Sequence, residues 1–380
     1  MRKVPELRFA GFAGEWEECR LSNLVKINSG RDYKHLGKGI YPVYGTGGLM
    51  THVNEFLSDE DSVGIGRKGT INKPQKLEAP FWTVDTLFYA TPIKDYNLDY
   101  IYSVFQRINW LKYDESSGLP SLSKTNINNI KVYNAGVQEQ EKIGNLFKKL
   151  DDLIEIQEGK ISKMEDFKKS MLQKTFPKKG ELVPEFRFAG FDGEWEERDL
   201  GSLSNIVRGA SPRPIADPKW FDDNSDIGWL RISDVTTQNG RIYELEQKLS
   251  VEGQKKTRVY KTPHLILSIA ASVGKPVINY INIGVHDGFL IFEDPKFDLE
   301  YMFQWLDSIQ LSWSKYGQPG SQVNLNSDIV KNRKIILTNL EEQEKIGQFF
   351  KNLDTQIENE EKLLESYKCM KKSLLQKMFV

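Results

Sequence analysis

The sequence predicts an α+β protein in which two mixed α/β heads are separated by two long helices. The helices pair as an antiparallel coiled coil, in a nearly circular, approximately twofold arrangement. Three observations predict this. The chain of 380 residues is written twice, each half closes on a stretch with helical heptad spacing, and the stretches between the repeats are short β-like runs broken by turn residues.

The first repeat is VPELRFAGFAGEWEECRL at 4–21, which returns as VPEFRFAGFDGEWEERDL at 183–200, an offset of 179. The second is longer. Residues 137–176, beginning VQEQEKIGNLF, return at 340–379, beginning LEEQEKIGQFF, at an offset of 203. The intervening stretches, 22–136 and 201–339, show no comparable match, and the second is 24 residues longer, the difference between the two offsets. The domains that follow are 1–136 for the first repeat with its head and 137–180 for a central helix. Residues 181–339 make the second repeat with its head, and 340–380 a C-terminal helix.

The first head reads as strands at IYPVYG and SVGIG and a helix at DYIYSVFQRINWLKY, and the second as strands at LILSIA and GFLIF, with Gly, Pro, Asn and Asp between them. The closing repeats read as helix. Their apolar seam runs Ile143, Phe147, Leu150, Ile154, Ile161 and Met164 in the first copy. In the second it runs Ile346, Phe350, Leu353, Ile357, Leu364 and Tyr367. Gln157 and Glu360 hold the same polar slot in the two seams, and Pro177 and Gly180 punctuate the end of the first helix. At 1.5 Å per residue, about 40 residues give a rod of roughly 60 Å. Because about ten residues separate the end of the first rod from the second head, that head lies at the rod's far end. The second rod must then run back to bury its seam, which brings the C-terminus near residues 1–12.

Composition excludes several classes. Two cysteines near opposite ends and four scattered histidines give neither a disulfide framework nor a cluster at metal-ligand spacing. No stretch approaches the roughly 20 apolar residues of a bilayer span, and the N-terminus lacks a signal-peptide core. A cytoplasmic, metal-free protein away from membranes is expected. A net charge of −1 argues against a blanket of positive charge for gripping nucleic acid, so contact with DNA has to be local.

Two different heads at a fixed separation, related by an approximate twofold, suit a duplex target with two unlike half-sites. The chain resembles the specificity subunit of a type I restriction–modification system. The resemblance is carried by QEQEKIGNLF and EEQEKIGQFF, KSMLQKTF and KSLLQKMF, PELRFAGFAGEWE and PEFRFAGFDGEWE. In the heads it is carried by YPVYGTGG, VGIGRKGTINKP, PFWTVDTLF, SGLPSLSKTNI, WLRISDVT, LILSIAASVGKP, VHDGFLIF and GSQVNLNSDIVKN. It implies two target-recognition domains that read a bipartite, gapped sequence in double-stranded DNA. It also implies two modification subunits, adenine-N6 methyltransferases using S-adenosylmethionine, and restriction/translocase subunits driven by ATP with Mg. No cofactor is expected on this chain and no residue is expected to be catalytic. The sequence has no Asn-Pro-Pro-Tyr/Phe motif and no phosphate-binding Gly-x-x-x-x-Gly-Lys-Ser/Thr loop. The rival classes are a coiled-coil scaffold joining protein partners, and a stand-alone nuclease.

The candidate DNA-contacting residues each have an ordinary alternative. Arg67 and Lys68 follow SVGIG and precede Gly69, so a turn presents them either to DNA or to solvent. Ser121, Ser123, Lys124 and Asn126 enter a helix whose amides could hold a phosphate, unless Ser123 is its N-cap. In the second head the candidates are Arg231, Lys275, Gln318, Gln322 and Asn324, where Gln and Asn are adenine readers or turn formers. Arg31, Tyr44, Arg208 and Arg213 are weaker candidates, and Trp82, Trp229 and Trp305 read as core. The EQEKIG element at each rod start reads as both a helix start and a docking surface.

Overall fold

The computed structural model describes residues 3–93, 96–236, 238–270, 272–316 and 325–380. By packing, the chain divides into one unit of Met1–Lys160 with Glu360–Val380 and a second of Ile161–Asn359. The linear order of heads and helices is thus not the packing order, because each head takes part of its core from both long helices.

Unit 1 contains β1 (Glu17–Arg20), β2 (Val25–Ser29), β3 (Lys38–Gly45), β4 (Gly48–Val53), β5 (Ser62–Gly66), β6 (Gln75–Leu77), β7 (Trp82–Thr83), β8 (Leu87–Pro92), α1 (Leu98–Arg107), α2 (Lys124–Asn129), β9 (Lys131–Asn134) and the start of α3 (Val137–Thr175). An antiparallel sheet runs β2-β8-β5-β6, and a smaller one β4-β3-β7. The run SVGIG becomes β5, buried at every position as an interior strand should be. The helix expected through Tyr113 stops at Arg107. Ile108 turns extended, and the buried Trp110 indole donates to the Phe105 carbonyl at 2.8 Å.

Unit 2 contains β10 (Glu196–Asp199), α4 (Leu200–Leu203), β11 (Asn205–Arg208), β12 (Gly228–Leu230), β13 (Arg241–Ile242), α5 (Val251–Gln254), β14 (Arg258–Tyr260), β15 (Leu265–Ser268), β16 (Pro276–Asn279), β17 (Ile283–Val285), β18 (Phe289–Glu293), α6 (Leu299–Ser308), α7 (Ser327–Lys331), β19 (Lys334–Leu337) and the start of α8 (Leu340–Lys377). Its main sheet runs β11-β18-β15-β16-β13, the same antiparallel frame as in unit 1 with one parallel strand added. So the heads share a scaffold where their sequences show no match. α1 and α6 have Asx N-caps, Asn97 and Asp298, each accepting from the backbone amide three residues on.

The repeated segments make the same contacts twice. In unit 1 the Arg8 guanidinium donates to both Glu139 carboxylate oxygens, at 2.7 and 2.8 Å, and the Trp16 indole donates to one of them at 3.2 Å. In unit 2 Arg187 binds Glu342 with both bonds at 2.8 Å. Leu7 N donates to the Lys377 carbonyl at 2.9 Å, and Phe186 N to the Lys174 carbonyl at 2.9 Å. Phe379 is buried against Trp16 and Tyr100 in unit 1, and Phe176 against Tyr301 in unit 2. Glu139 and Glu342, with the buried Gln140 and Gln343, are thereby turned inward. Of the EQEKIG element, these four residues tie the rod start to its head and present no docking surface.

The first long helix ends at Thr175, short of residue 180, because Phe176 turns into the core of unit 2 and Pro177 follows. Its seam is covered. Ile143, Phe147, Leu150 and Ile161 are buried and Ile154 and Met164 half-buried; in the other helix Ile346, Phe350, Leu353 and Ile357 are buried and Leu364 and Tyr367 half-buried. Within unit 1, Asp151 meets Lys371, Glu158 meets Lys368 at 2.7 Å and Lys160 meets Glu360 at 2.7 Å, so the helices run in opposite directions there. The two polar slots face each other: the Gln157 amide donates to the Glu360 carboxylate at 2.6 Å and to its carbonyl at 3.0 Å.

Candidate nucleic-acid interface

In the first head the frame brings together motifs that lie far apart in sequence. Arg67 and Lys68 leave β5 and are held by their backbone amides on the Thr86 carbonyl, at 2.8 and 3.3 Å. Lys68 bridges to Ser121, Gly69 N donates to the Pro120 carbonyl and Leu122 N to the Arg67 carbonyl, at 2.8 Å each. The Arg67 guanidinium and the Lys124 ammonium both lie about one ring away from Phe88, at 5.8 and 6.0 Å from its centroid. Arg67, Lys68, Ser121 and Lys124 thus form one basic patch. Ser123 is the α2 N-cap, accepting from Asn126 N at 3.1 Å, so its hydroxyl takes an amide that a phosphate would need. Ahead of it, Asp114 accepts from Ser121 N and from the Ser116 amide and hydroxyl; these bonds hold its carboxyl below the usual range and fix the loop.

Beside the patch lies an open cleft of about 610 Å³ lined by Asp32, Lys34, Gly45, Met50, Val84, Asp85 and neighbouring residues. The Arg67 Nη1 reaches the Asp85 carbonyl at 3.5 Å. Arg31 has an exposed side chain while its amide donates to the Thr83 carbonyl at 2.8 Å. Gly30, just before it, runs so close to the Val84 carbonyl that a Cβ would sit 1.9 Å from the oxygen, which is why glycine stands there. Tyr44 is half-buried against Phe81, and burial raises its phenol pKa; it packs onto the small core of Leu77, Phe81 and Tyr89. Trp82 is buried, as is Trp229 in the other head and Trp305 on α6.

The second head repeats this crossing of loops. Gly209 passes as close to the His286 carbonyl, and Ala210 N donates to Val285 O at 3.0 Å as Arg31 N does to Thr83 O. Asp287 then stands where Asp85 stands. It accepts from Ser211 Oγ and Arg213 Nη2, each at 2.7 Å, while Arg208 Nε donates to its carbonyl at 2.7 Å. Burial would raise the Asp287 carboxyl, but Ser211, His286 and the two arginines hold it below its ordinary value. Burial also pushes the His286 imidazole down, while Asp287 beside it pulls the other way. Arg208 and Arg213 keep exposed guanidinium edges over this turn. Arg231 is committed elsewhere, to Asp234, through its backbone amide and guanidinium, and that bond raises its pKa. Lys275 is half-buried in the turn before β16, and Gln318, Gln322 and Asn324 lie outside the described residues. The shared Asp85/Asp287 turn was missed by sequence reading, although VDTLF and HDGFL carried the signal.

The profile of the type I restriction modification DNA specificity domain matches residues 13–166 and 192–366, most of the chain and both of its halves. The chain belongs to the family of type I restriction–modification specificity subunits. This specificity subunit is 23% identical to the type I restriction enzyme MjaVIII specificity subunit of Methanocaldococcus jannaschii, over 95% of its own length and 91% of the relative's. It is 24% identical to the EcoprrI specificity subunit of Escherichia coli over 30% of its length and 29% of that protein's. Among solved structures, the S subunit from M. genitalium shares the fold with a TM-score of 0.69 at 15% identity, over 99% of both chains. A chain from a structure of type I restriction–modification complex assembly and conformational transition matches with a TM-score of 0.56 at 12% identity, over 96% and 97%. Among the described residues, no helix is long and apolar enough to cross a membrane and no group of three or more His, Cys, Asp or Glu side chains is placed to hold a metal.

Proposed function

We propose that this specificity subunit recognises DNA without catalysing a reaction, each head reading one half of a bipartite, gapped duplex target. The two long helices act as an antiparallel coiled coil that sets the gap and docks two modification subunits. Restriction/translocase subunits join through them, and S-adenosylmethionine, ATP and Mg are bound by those partners in the cytoplasm. The observation that carries this reading is the duplicated clamp, Arg8 on Glu139 and Arg187 on Glu342, fixing two like scaffolds whose exposed loops differ. Like parts suit a shared job and unlike loops a discriminating one. An approximate twofold is supported by Gln157 meeting Glu360, its own counterpart at the repeat offset of 203. The basic patch of Arg67, Lys68 and Lys124, and the Arg208–Arg213 turn, then supply local phosphate contact in a chain of net charge −1.

The test is methylation mapping of the assembled complex. Replacing residues 22–136 with another such head should change one half-site and leave the other intact. Inserting four residues after Lys160 adds about 6 Å, nearly one helical turn, and should lengthen the gap by about one to two base pairs. A head swap that alters both halves, or an insertion that alters bases in place of spacing, overturns the modular reading.

A further inference from the structure

The β3–β4 hairpin of the first head has a burial pattern that its own fold does not explain. Four consecutive residues of β4, Leu49, Met50, Thr51 and His52, are exposed. Consecutive strand residues point to opposite faces, so β4 is uncovered on both faces. It is also the edge strand of the β4-β3-β7 sheet. Ile40 on β3 is 79% exposed, Leu49 57% and Met50 55%. Such an edge invites aggregation unless something polar or a partner meets it. Two register shifts, between Lys38 and Tyr41 and between Val43 and Tyr44, interrupt the pairing of the ribbon. In the second head the place beyond β12, which pairs parallel with β17 as β3 does with β7, is taken by Gln247–Leu249, whose residues are covered or half-covered.

The charge around the ribbon selects its occupant. Between residues 31 and 52 the sequence carries Arg31, Lys34 and Lys38 against the single acid Asp32, with His35 and His52 besides. Lys34 and Met50 line one cleft with Asp85 and Thr86, and Arg67 is tied to those two residues from the basic patch. A two-stranded ribbon fits the major groove of B-DNA, where apolar side chains meet thymine methyls and His or Thr can bond base edges. Asp32 and Asp85 in the cleft suit donors such as cytosine N4.

Resting on the proposed DNA-reading function, we infer that the β3–β4 ribbon is the base-reading element of the first head. Met50 and His52 face base edges, and the Arg67–Lys124 patch holds the adjoining phosphates.

The experiment is selection from a random-sequence duplex library by the specificity subunit assembled with its modification subunits, followed by sequencing of the bound pool. Because these side chains are exposed, Met50→Ala with His52→Ala should leave the thermal midpoint unchanged. The selected motif should lose its fixed bases in one half-site only, and affinity for the wild-type motif should fall at least tenfold while affinity for unrelated duplex is kept. Arg67→Ala should instead weaken binding to all duplexes and reduce the salt dependence. An unchanged motif from the Met50/His52 variant, with Arg67→Ala still weakening all binding, overturns the ribbon assignment and leaves the DNA-reading function standing. A wild-type complex that selects no motif overturns that function itself.

Discussion

Replacing Arg187 with Met isolates the clamp that joins a repeat segment to its rod. Met keeps much of the aliphatic stem and removes the guanidinium, which is 14% exposed and bonds both oxygens of a Glu342 side chain that is fully buried. It also removes bonds to the carbonyls of Gly193 and Asp192 at 2.5 and 2.7 Å. Breaking one partner of a buried pair costs about 3–5 kcal/mol, because the remaining carboxylate stays desolvated. The Thr338 hydroxyl still bonds Glu342, which places the expected loss near the lower end, about 3 kcal/mol. For a unit of this size that corresponds to roughly 6–12 °C in its unfolding midpoint. Thermal unfolding combined with hydrogen exchange read by mass spectrometry gives magnitude and location together. Protection should fall in 161–359 for Arg187→Met and in 1–160 with 360–380 for Arg8→Met, and the double variant should be additive because the pairs share no partner. Adding Glu342→Gln to Arg187→Met should recover part of the loss. A midpoint shift under 2 °C, or exchange rising in the wrong unit, refutes the clamp.

Three other outcomes follow. Leu150→Asp or Leu353→Asp puts a carboxylate into a covered seam and should cost about 4 kcal/mol or more; intact thermal stability and assembly would show that the seam needs no cover. Joining residue 380 to residue 1 by a short linker and opening the chain near Lys178 should preserve folding and half-site specificity, since Leu7 already bonds Lys377; failure with several linker lengths, read by circular dichroism and methylation mapping, counts against it. Burial would raise the Glu300 carboxyl, but Arg241, then Tyr280 and Lys351, hold it below 4.5. Its folded value is therefore depressed, so its contribution is complete above about pH 4.5 and is lost as pH falls through the folded value. Denaturation of wild type and Glu300→Gln between pH 6 and 3 should converge as pH drops, and a constant difference would contradict this.

The doubling and the seams were legible in the sequence because helical contacts are periodic and local: Ile143 to Met164 and Ile346 to Tyr367 carry the rods on spacing alone. SVGIG and LILSIA read as strands for the same reason. What could not be read was pairing across long separations. The polar slots Gln157 and Glu360 were visible as interruptions, but their meeting depends on register. Arg8 and Glu139 recur with the repeats as Arg187 and Glu342, yet nothing local says that an acid in a charged helix start is buried. The common scaffold of the heads rests on sheet order, which residue identity underdetermines once every strand is simply apolar. Ser123 had two readings in sequence, and only the bond from Asn126 N chose the cap.

The placement of Phe379 bears on the order in which the protein is made. Residues 161–359, which form unit 2, emerge from the ribosome before residues 360–380, whose Met378 and Phe379 fill the core of unit 1 beside Trp16, Tyr100 and Phe147. The head translated first is therefore the one completed last. Its core, around Trp16 and Tyr100, is incomplete until Met378 and Phe379 have been made. A chain cut short by even a few residues would carry an intact first head in sequence and a defective one in structure, so that completion of the N-terminal head reports that translation has passed Phe379.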